Sequence, residues 1–261
     1  MTEDEQLWLD APAERPALVA GEAHVWRARL ECDKATLAEL SKLLSADELE
    51  RARRFHFPKD CNHYVAARGA LRDILSRYVG VEPARLRFSY DQYGKPSLQG
   101  EPNDAPLRSV GDAPLRFNVS HSQGVALYAL TRGREVGVDI EFVREDFAGF
   151  DIAERFFSTR EVSALRALPA EARTAAFFDC WTRKEAYIKA RGEGLSHPLH
   201  SFAVSLAPGE RAALLWTEGD SQEAARWSLI ELFPGESYRA ALAVEGEMPT
   251  LRCWRWSALL L

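Results

Sequence analysis

Residues 181–195 read WTRKEAYIKARGEGL. Trp181, Glu185 and Lys189 recur every four residues, so on a helix they share one face, with Phe177, Phe178, Trp181 and Ile188 forming an apolar stripe. Gly192 and Gly194 then stop the helix. A Glu four residues before a Lys is often a solvated pair contributing only about 0.2–0.5 kcal/mol. Trp181 on the same face points instead to partial cover. This segment is the strongest helix of the second half of the chain, and what surrounds it sets the architecture.

Upstream, EVGVDIEFV alternates Val136, Val138, Ile140 and Phe142 with Gly137, Asp139 and Glu141. On a strand that period of two puts both carboxylates on one face, about 7 Å apart. Hard oxygen ligands so placed suit Mg²⁺, which fills its octahedron with water and substrate phosphate; a half-exposed strand with two solvated acids gives the same pattern. In NVSHSQG, Ser120 and His121 sit at a strand end. Adjacent strand residues point to opposite faces, and no G-x-S-x-G elbow is present, so a nucleophilic Ser-His pair is disfavoured. A phosphate contact by hydroxyl and imidazole is the functional reading, and a surface histidine the plain one. DQYGKPSL combines Gly94, Lys95 and Pro96 in a turn that does not match a P-loop. The cluster Arg51, Arg53, Arg54 and Lys59 is either a charged helix face or an anion site.

The remaining pattern reads as an α+β chain. AHVWRARLE alternates like a strand, Ser45 and Glu48 have capping-box spacing, and NHYVAARGALRDILSRYVG is a long amphipathic helix ending at Gly80. Residues 99–114, rich in Gly, Pro, Asn and Asp, are predicted loop. Helix, long helix ending in glycine, then strands occurs twice, and both long helices carry Ala-Arg-Gly, at Ala67–Gly69 and Ala190–Gly192. The expectation is two α+β halves, residues 1–134 and 135–261.

The 261 residues carry 46% hydrophobic and 28% charged side chains, the balance of a folded protein. A net charge of −6 offers no general field for nucleic acid or an anionic membrane, so neither is an expected partner. The cysteines Cys32, Cys61, Cys180 and Cys253 lack metal or redox spacing and read as reduced thiols. An acidic N-terminus without a signal-peptide layout, and no apolar run near the ~20 residues that span a bilayer, predict a cytoplasmic protein.

Taken together, RRF at Arg53–Phe55, YGKPSL, FNVSHS, VGVDIE and the block RFFSTRE…WTRKEAYIKARGEGLSHPLHSF resemble the Sfp-type 4′-phosphopantetheinyl transferases. The resemblance covers roughly residues 45–206. It implies a pseudo-dimer of two similar halves, each a small antiparallel sheet packed with a long helix, with coenzyme A and Mg²⁺, or Mn²⁺, in the cleft between them. It further implies transfer of the phosphopantetheine arm from coenzyme A to a serine of an apo acyl, peptidyl or polyketide carrier protein, releasing adenosine 3′,5′-bisphosphate. By the same resemblance Asp139, Glu141 and Glu185 hold the metal, and Lys189 contacts the phosphates. Glu185 would also help deprotonate the serine. Ser120 and His121 would hold a coenzyme A phosphate, Lys95 and Pro96 would lie along the nucleotide, and Arg51 would face its phosphate end. Glu48 and Val65 depart from relatives at the 3′-phosphate end, where Arg68 or Arg72 would substitute. A duplicated chain needs no second copy to build its cleft, so a monomer is expected. The alternatives are a non-catalytic coenzyme A or carrier-binding module of the same fold, or an unrelated α+β interaction domain.

Overall fold

Local signals start and stop the elements. Strands β1 (Leu9–Asp10) and β2 (Glu22–Arg29) lead into α1 (Lys34–Lys42), α2 (Ala46–Arg53) and α3 (Pro58–Val79). Asp33 caps α1 by accepting from the Thr36 N–H, and Ser45 with Glu48 closes the predicted capping box of α2. Helix α1 is absent from the sequence reading although its cap residue is there. Gly80, at φ 71°, ends α3 in the left-handed conformation that glycine reaches without steric cost. Next come β3 (Phe88–Tyr90), β4 (Pro96–Leu98), β5 (Leu115–Ser122), β6 (Val125–Arg132) and β7 (Val136–Phe142). Helices α4 (Phe150–Phe156), α5 (Thr159–Ala167) and α6 (Ala170–Arg191) precede β8 (Phe202–Val204), β9 (Leu214–Thr217), β10 (Trp227–Leu232), β11 (Tyr238–Glu245) and β12 (Thr250–Arg255). Helix α6 has the same length as α3, 22 residues, and the same kind of glycine stop, Gly192 at φ 71°. The computed structural model describes residues 8–12, 14–99, 113–144, 149–192, 194 and 197–258. Most of the predicted 99–114 loop, residues 100–112, lies outside them.

The strands form a five-stranded sheet, β1-β12-β2-β6-β5, and a three-stranded sheet, β10-β11-β7, with β3-β4 and β8-β9 as separate hairpins. Helix α3 covers one face of the first sheet, where Ala66, Ala70 and Ile74 share a core with Trp26, Tyr128 and Leu130. Helix α6 covers one face of the second, where Ala186 and Ala190 share a core with Ala241 and Ala243. A third core joins the two sheets through Val25, Leu127 and Ala129 of the first and Val138, Ile140 and Leu242 of the second. The fold is therefore α+β in two halves, each a small sheet packed with a long helix. Strand β12 departs from chain order: it returns to the first sheet and runs parallel between β1 and β2. Among the described residues no helix is long and apolar enough to cross a membrane.

Two buried polar groups hold the halves in shape. Lys184 is fully buried, and its ammonium donates to both oxygens of Glu161, at 2.7 and 2.8 Å, and to Phe202 O at 2.7 Å. Glu161 also completes the capping box with Ser158 and accepts from the Val204 N–H at 2.8 Å, so one carboxylate ties α5, α6 and β8. Every charge-bearing atom is satisfied, and removing one partner would cost roughly 3–5 kcal/mol. In the first half, Trp26 Nε1 donates to Tyr78 Oη at 2.8 Å. Tyr78 lies 2.9 Å from His24 Nδ1, and Glu22 lies 3.2 Å from Nε2. The network assigns a neutral ring, Nδ1 accepting from Tyr78 and Nε2–H donating to Glu22.

Burial pulls the His24 pKa down to about 4, only partly opposed by Glu22. The unfolded chain therefore binds a proton that the fold refuses, and the His24 contribution is present above about pH 6.5 and lost as pH falls toward 4. Urea unfolding of wild type and His24→Gln at pH 7.5 and 4 should show wild type losing roughly 3 kcal/mol more than the variant. Equal losses would contradict the assignment.

Candidate active site

The site is made where α6 lies directly on β7. A Cβ at Gly137 would stand 2.1 Å from Ala186 O and 2.3 Å from Ala190 N, so only glycine lets the helix backbone touch the strand. With Val136, Val138 and Ile140 committed to the inter-sheet core, Gly137, Asp139 and Glu141 face the helix that carries Glu185 and Lys189.

The second wall comes from β5. Strands β5 and β7 are the facing edges of the two sheets and share no backbone ladder. Side chains bridge them instead: Asn118 Oδ1 accepts from the Val138 N–H at 2.9 Å, and Ser122 Oγ accepts from the Phe142 N–H at 3.1 Å. Between these, Ser120 Oγ donates to Asp139 Oδ1 at 2.9 Å, and the Ser122 hydroxyl donates to Glu141 Oε2 at 3.1 Å. Lys189 Nζ completes the cluster, 2.6 Å from Asp139 Oδ1 and 2.9 Å from Ser120 Oγ.

Two oxygens remain unsatisfied. Asp139 Oδ2 and Glu185 Oε1 are buried without a hydrogen-bond partner, a costly condition for carboxylates. Burial, then the charge of Asp139, raises the Glu185 pKa to about 7, with Lys189 opposing and Glu141 adding. Glu141 is raised too, by burial and then by Asp139. Mutually repelling, desolvated carboxylates with open lone pairs are a donor set that fits a divalent, oxygen-seeking cation. As they stand, no group of three or more His, Cys, Asp or Glu is gathered to hold a metal among the described residues. Lys189 occupies one Asp139 oxygen, and Glu141 leans on Ser122.

Residues 135–243 match the family described as the 4′-phosphopantetheinyl transferase superfamily, and residues 29–131 match the 4′-phosphopantetheinyl transferase N-terminal family. The 4′-phosphopantetheinyl transferase HetI of Nostoc sp. (strain PCC 7120 / SAG 25.82 / UTEX 2576) is 41% identical over 92% of this chain and 94% of its own. The chain belongs to the 4′-phosphopantetheinyl transferase superfamily. The resemblance read from its motifs is thereby borne out. The 4′-phosphopantetheinyl transferase Sfp of Bacillus subtilis (strain 168) is 33% identical over 62% of this chain and 66% of its own. A solved holo-[acyl-carrier-protein] synthase of Thermotoga maritima aligns with a TM-score of 0.36 at 21% identity, covering 43% of this chain and 63% of that one. By its family and its likeness to HetI over most of both chains the protein is an enzyme, and its family's reaction carries phosphopantetheine from coenzyme A to a carrier protein.

Within this transferase the sequence-predicted residues fall into two groups. Asp139, Glu185, Lys189 and Ser120 converge, with Glu141 beside them. His121 borders the cluster: desolvation of the ring by surrounding protein, followed by the Lys189 and His63 charges, lowers its pKa, although the residue as a whole is exposed. The other group lies apart. Lys95 donates to Ala190 O at 3.0 Å, at the end of α6, and with Pro96, Arg116, Arg191 and Gly192 lines a cavity of about 270 Å³. Arg51, exposed at the end of α2, stacks 5.7 Å from the Tyr64 ring centre. Arg72 is no candidate for phosphate: it is buried and bound to Glu48, Pro83 O and Leu86 O. Arg68 is likewise engaged, by Glu48 and by Tyr90 Oη.

The sequence reading passed over Asn118 and Ser122, although Asn118, Ser120 and Ser122 repeat with the period of one strand face. It also passed over an apolar cavity of about 240 Å³ that opens beside Glu141 and is walled by Phe142, Ile152, Phe177, Phe178 and Trp181.

Gly137→Ala should push α6 off β7, lowering stability to urea by about 2 kcal/mol or more and abolishing transfer; wild-type behaviour would refute the contact. Above about pH 8, where the Glu185 carboxyl is charged, Glu185→Gln, which removes that buried charge, should raise the melting point of EDTA-treated protein, equivalent to about 1–3 kcal/mol. A lower melting point would make Glu185 a structural acid.

Proposed function

We propose that this enzyme moves the 4′-phosphopantetheine arm of coenzyme A onto a serine hydroxyl of an apo acyl, peptidyl or polyketide carrier protein, with Mg²⁺ held by Asp139, Glu141 and Glu185. The observation that carries the metal reading is the pair of orphaned, buried oxygens on Asp139 and Glu185. When bound, the cation would supply neutralisation of the pyrophosphate charge, the principal demand of phosphoryl transfer.

The chain's own groups supply the rest. Lys189, three-tenths exposed, is a fixed cation at the mouth of the cluster and stabilises charge on the same phosphates. Glu185 would also take the proton of the incoming serine. The serine oxygen bonds to the phosphorus bearing pantetheine, the bridging P–O bond breaks, and adenosine 3′,5′-bisphosphate leaves with the electron pair. Ser120 holds Lys189 and Asp139 in register, and His121 is the nearby phosphate contact. Lys95 and Pro96 lie along the nucleotide, Arg51 faces its phosphate end, and residues 1–134 supply most of these contacts. Both walls of the site come from one chain, which supports a working monomer.

Asp139→Ala and Lys189→Ala should each lower carrier labelling from coenzyme A by about 10²-fold or more, read by the mass of the carrier. EDTA should stop labelling, and Mg²⁺ or Mn²⁺ should restore it. Coenzyme A binding by wild type without any added mass on carriers would instead favour a non-catalytic module.

A further inference from the structure

In the pairing of β7 with β11, Arg239 stands directly opposite Glu141, and Ala241 opposite Asp139. Directly opposed residues point to the same face with Cβ atoms about 5 Å apart, and opposite charges so placed normally pair. Arg239 does not pair with Glu141. Its Nε lies 3.1 Å from Asp179 Oδ1, on α6, while Glu141 accepts from the neutral Ser122 hydroxyl. The other hydrogen bond of the guanidinium is local, Nη1 donating to Tyr238 O at 3.2 Å. The pair borders a cavity of about 270 Å³ lined also by Ala172, Ala176, Tyr238 and two further acids, Glu231 and Glu236, neither of which is within ion-pair distance of Arg239. Nor is Asp179 needed by its helical neighbour, because Arg183 is buried and bound to Ser205 O at 2.8 Å and to Glu231 at 3.3 Å.

Resting on the metal reading above, we propose that Asp179 is a positioning residue that draws Arg239 away from Glu141 and so keeps that carboxylate open for the cation. Without Asp179, the acid directly opposite Arg239 in the ladder is Glu141, whereas Glu231, diagonal on the same face, is already held by Arg183, so an Arg239–Glu141 ion pair would compete with the metal for the same oxygens. The role is electrostatic and acts through Arg239. Removing Arg239 as well should therefore undo the loss, which a merely structural role for Asp179 would not allow.

The test is direct Mn²⁺ titration, followed by electron paramagnetic resonance without coenzyme A, of wild type, Asp179→Asn, Arg239→Ala and the double variant, with thermal melts alongside. Asp179→Asn should weaken Mn²⁺ binding about fivefold. The double variant should return to within about twofold of wild type. Arg239→Ala alone should bind as tightly as wild type or more tightly. Equal binding by wild type and Asp179→Asn, or a double variant as weak as Asp179→Asn, overturns the proposal while leaving the metal reading standing. If Asp179→Asn fails to fold, weaker binding by Arg239→Ala overturns it on its own. No Mn²⁺ binding by wild type overturns the metal reading and this proposal together.

Discussion

The missing Cβ of Gly137 is the constraint on which the centre of the molecule depends. A helix normally rides over a sheet on a layer of side chains, but here the backbone of α6 at Ala186 and Ala190 rests on β7 itself. Ala241 and Ala243 on the neighbouring strand keep the same low profile. The close approach brings Glu185 and Lys189, one helical turn apart, down onto the face that carries Asp139 and Glu141. Any larger side chain at Gly137 would lift the helix as a unit and separate the two halves of the acid–lysine cluster.

The seam between β5 and β7 adds a second requirement. Two sheet edges meet there without a ladder, and exposed edge groups need partners. Asn118 and Ser122 supply them, accepting the Val138 and Phe142 N–H groups. The same row of short polar side chains then does a second job, because Ser120 and Ser122 orient Asp139 and Glu141. Joining the halves and aligning the site are thus one set of hydrogen bonds, contributed by the first half to the acids of the second.

Helix α6 also carries two lysines in opposite electrostatic settings. Lys184 is buried, fully hydrogen-bonded and matched to a single carboxylate, so it is a structural fixture. Lys189 is partly open and faces more acid than it can satisfy, leaving Asp139 Oδ2 and Glu185 Oε1 unpaired. A site that leaves buried charge unmatched sacrifices stability, whereas the Glu161–Lys184 pair, bound to α5 and β8, leaves no buried charge uncompensated within the same helix.

Sequence alone determined the elements whose signals are local. Capping residues, the glycine stops at Gly80 and Gly192 and the alternation of β7 are set by neighbours a few residues away, and they named α2, α3, α6 and the acid-bearing face. The joint spacing of Asp139, Glu141, Glu185 and Lys189 likewise identified the family and most of the cluster. Tertiary structure decided what depends on distant partners. The insertion of β12 between β1 and β2, the structural use of Lys184 and Arg72, and the pairing of Arg239 with Asp179 instead of Glu141 leave no periodic trace. A charged side chain's role is set by which charges and carbonyls the fold brings within hydrogen-bonding distance, and those lie many residues away along the chain.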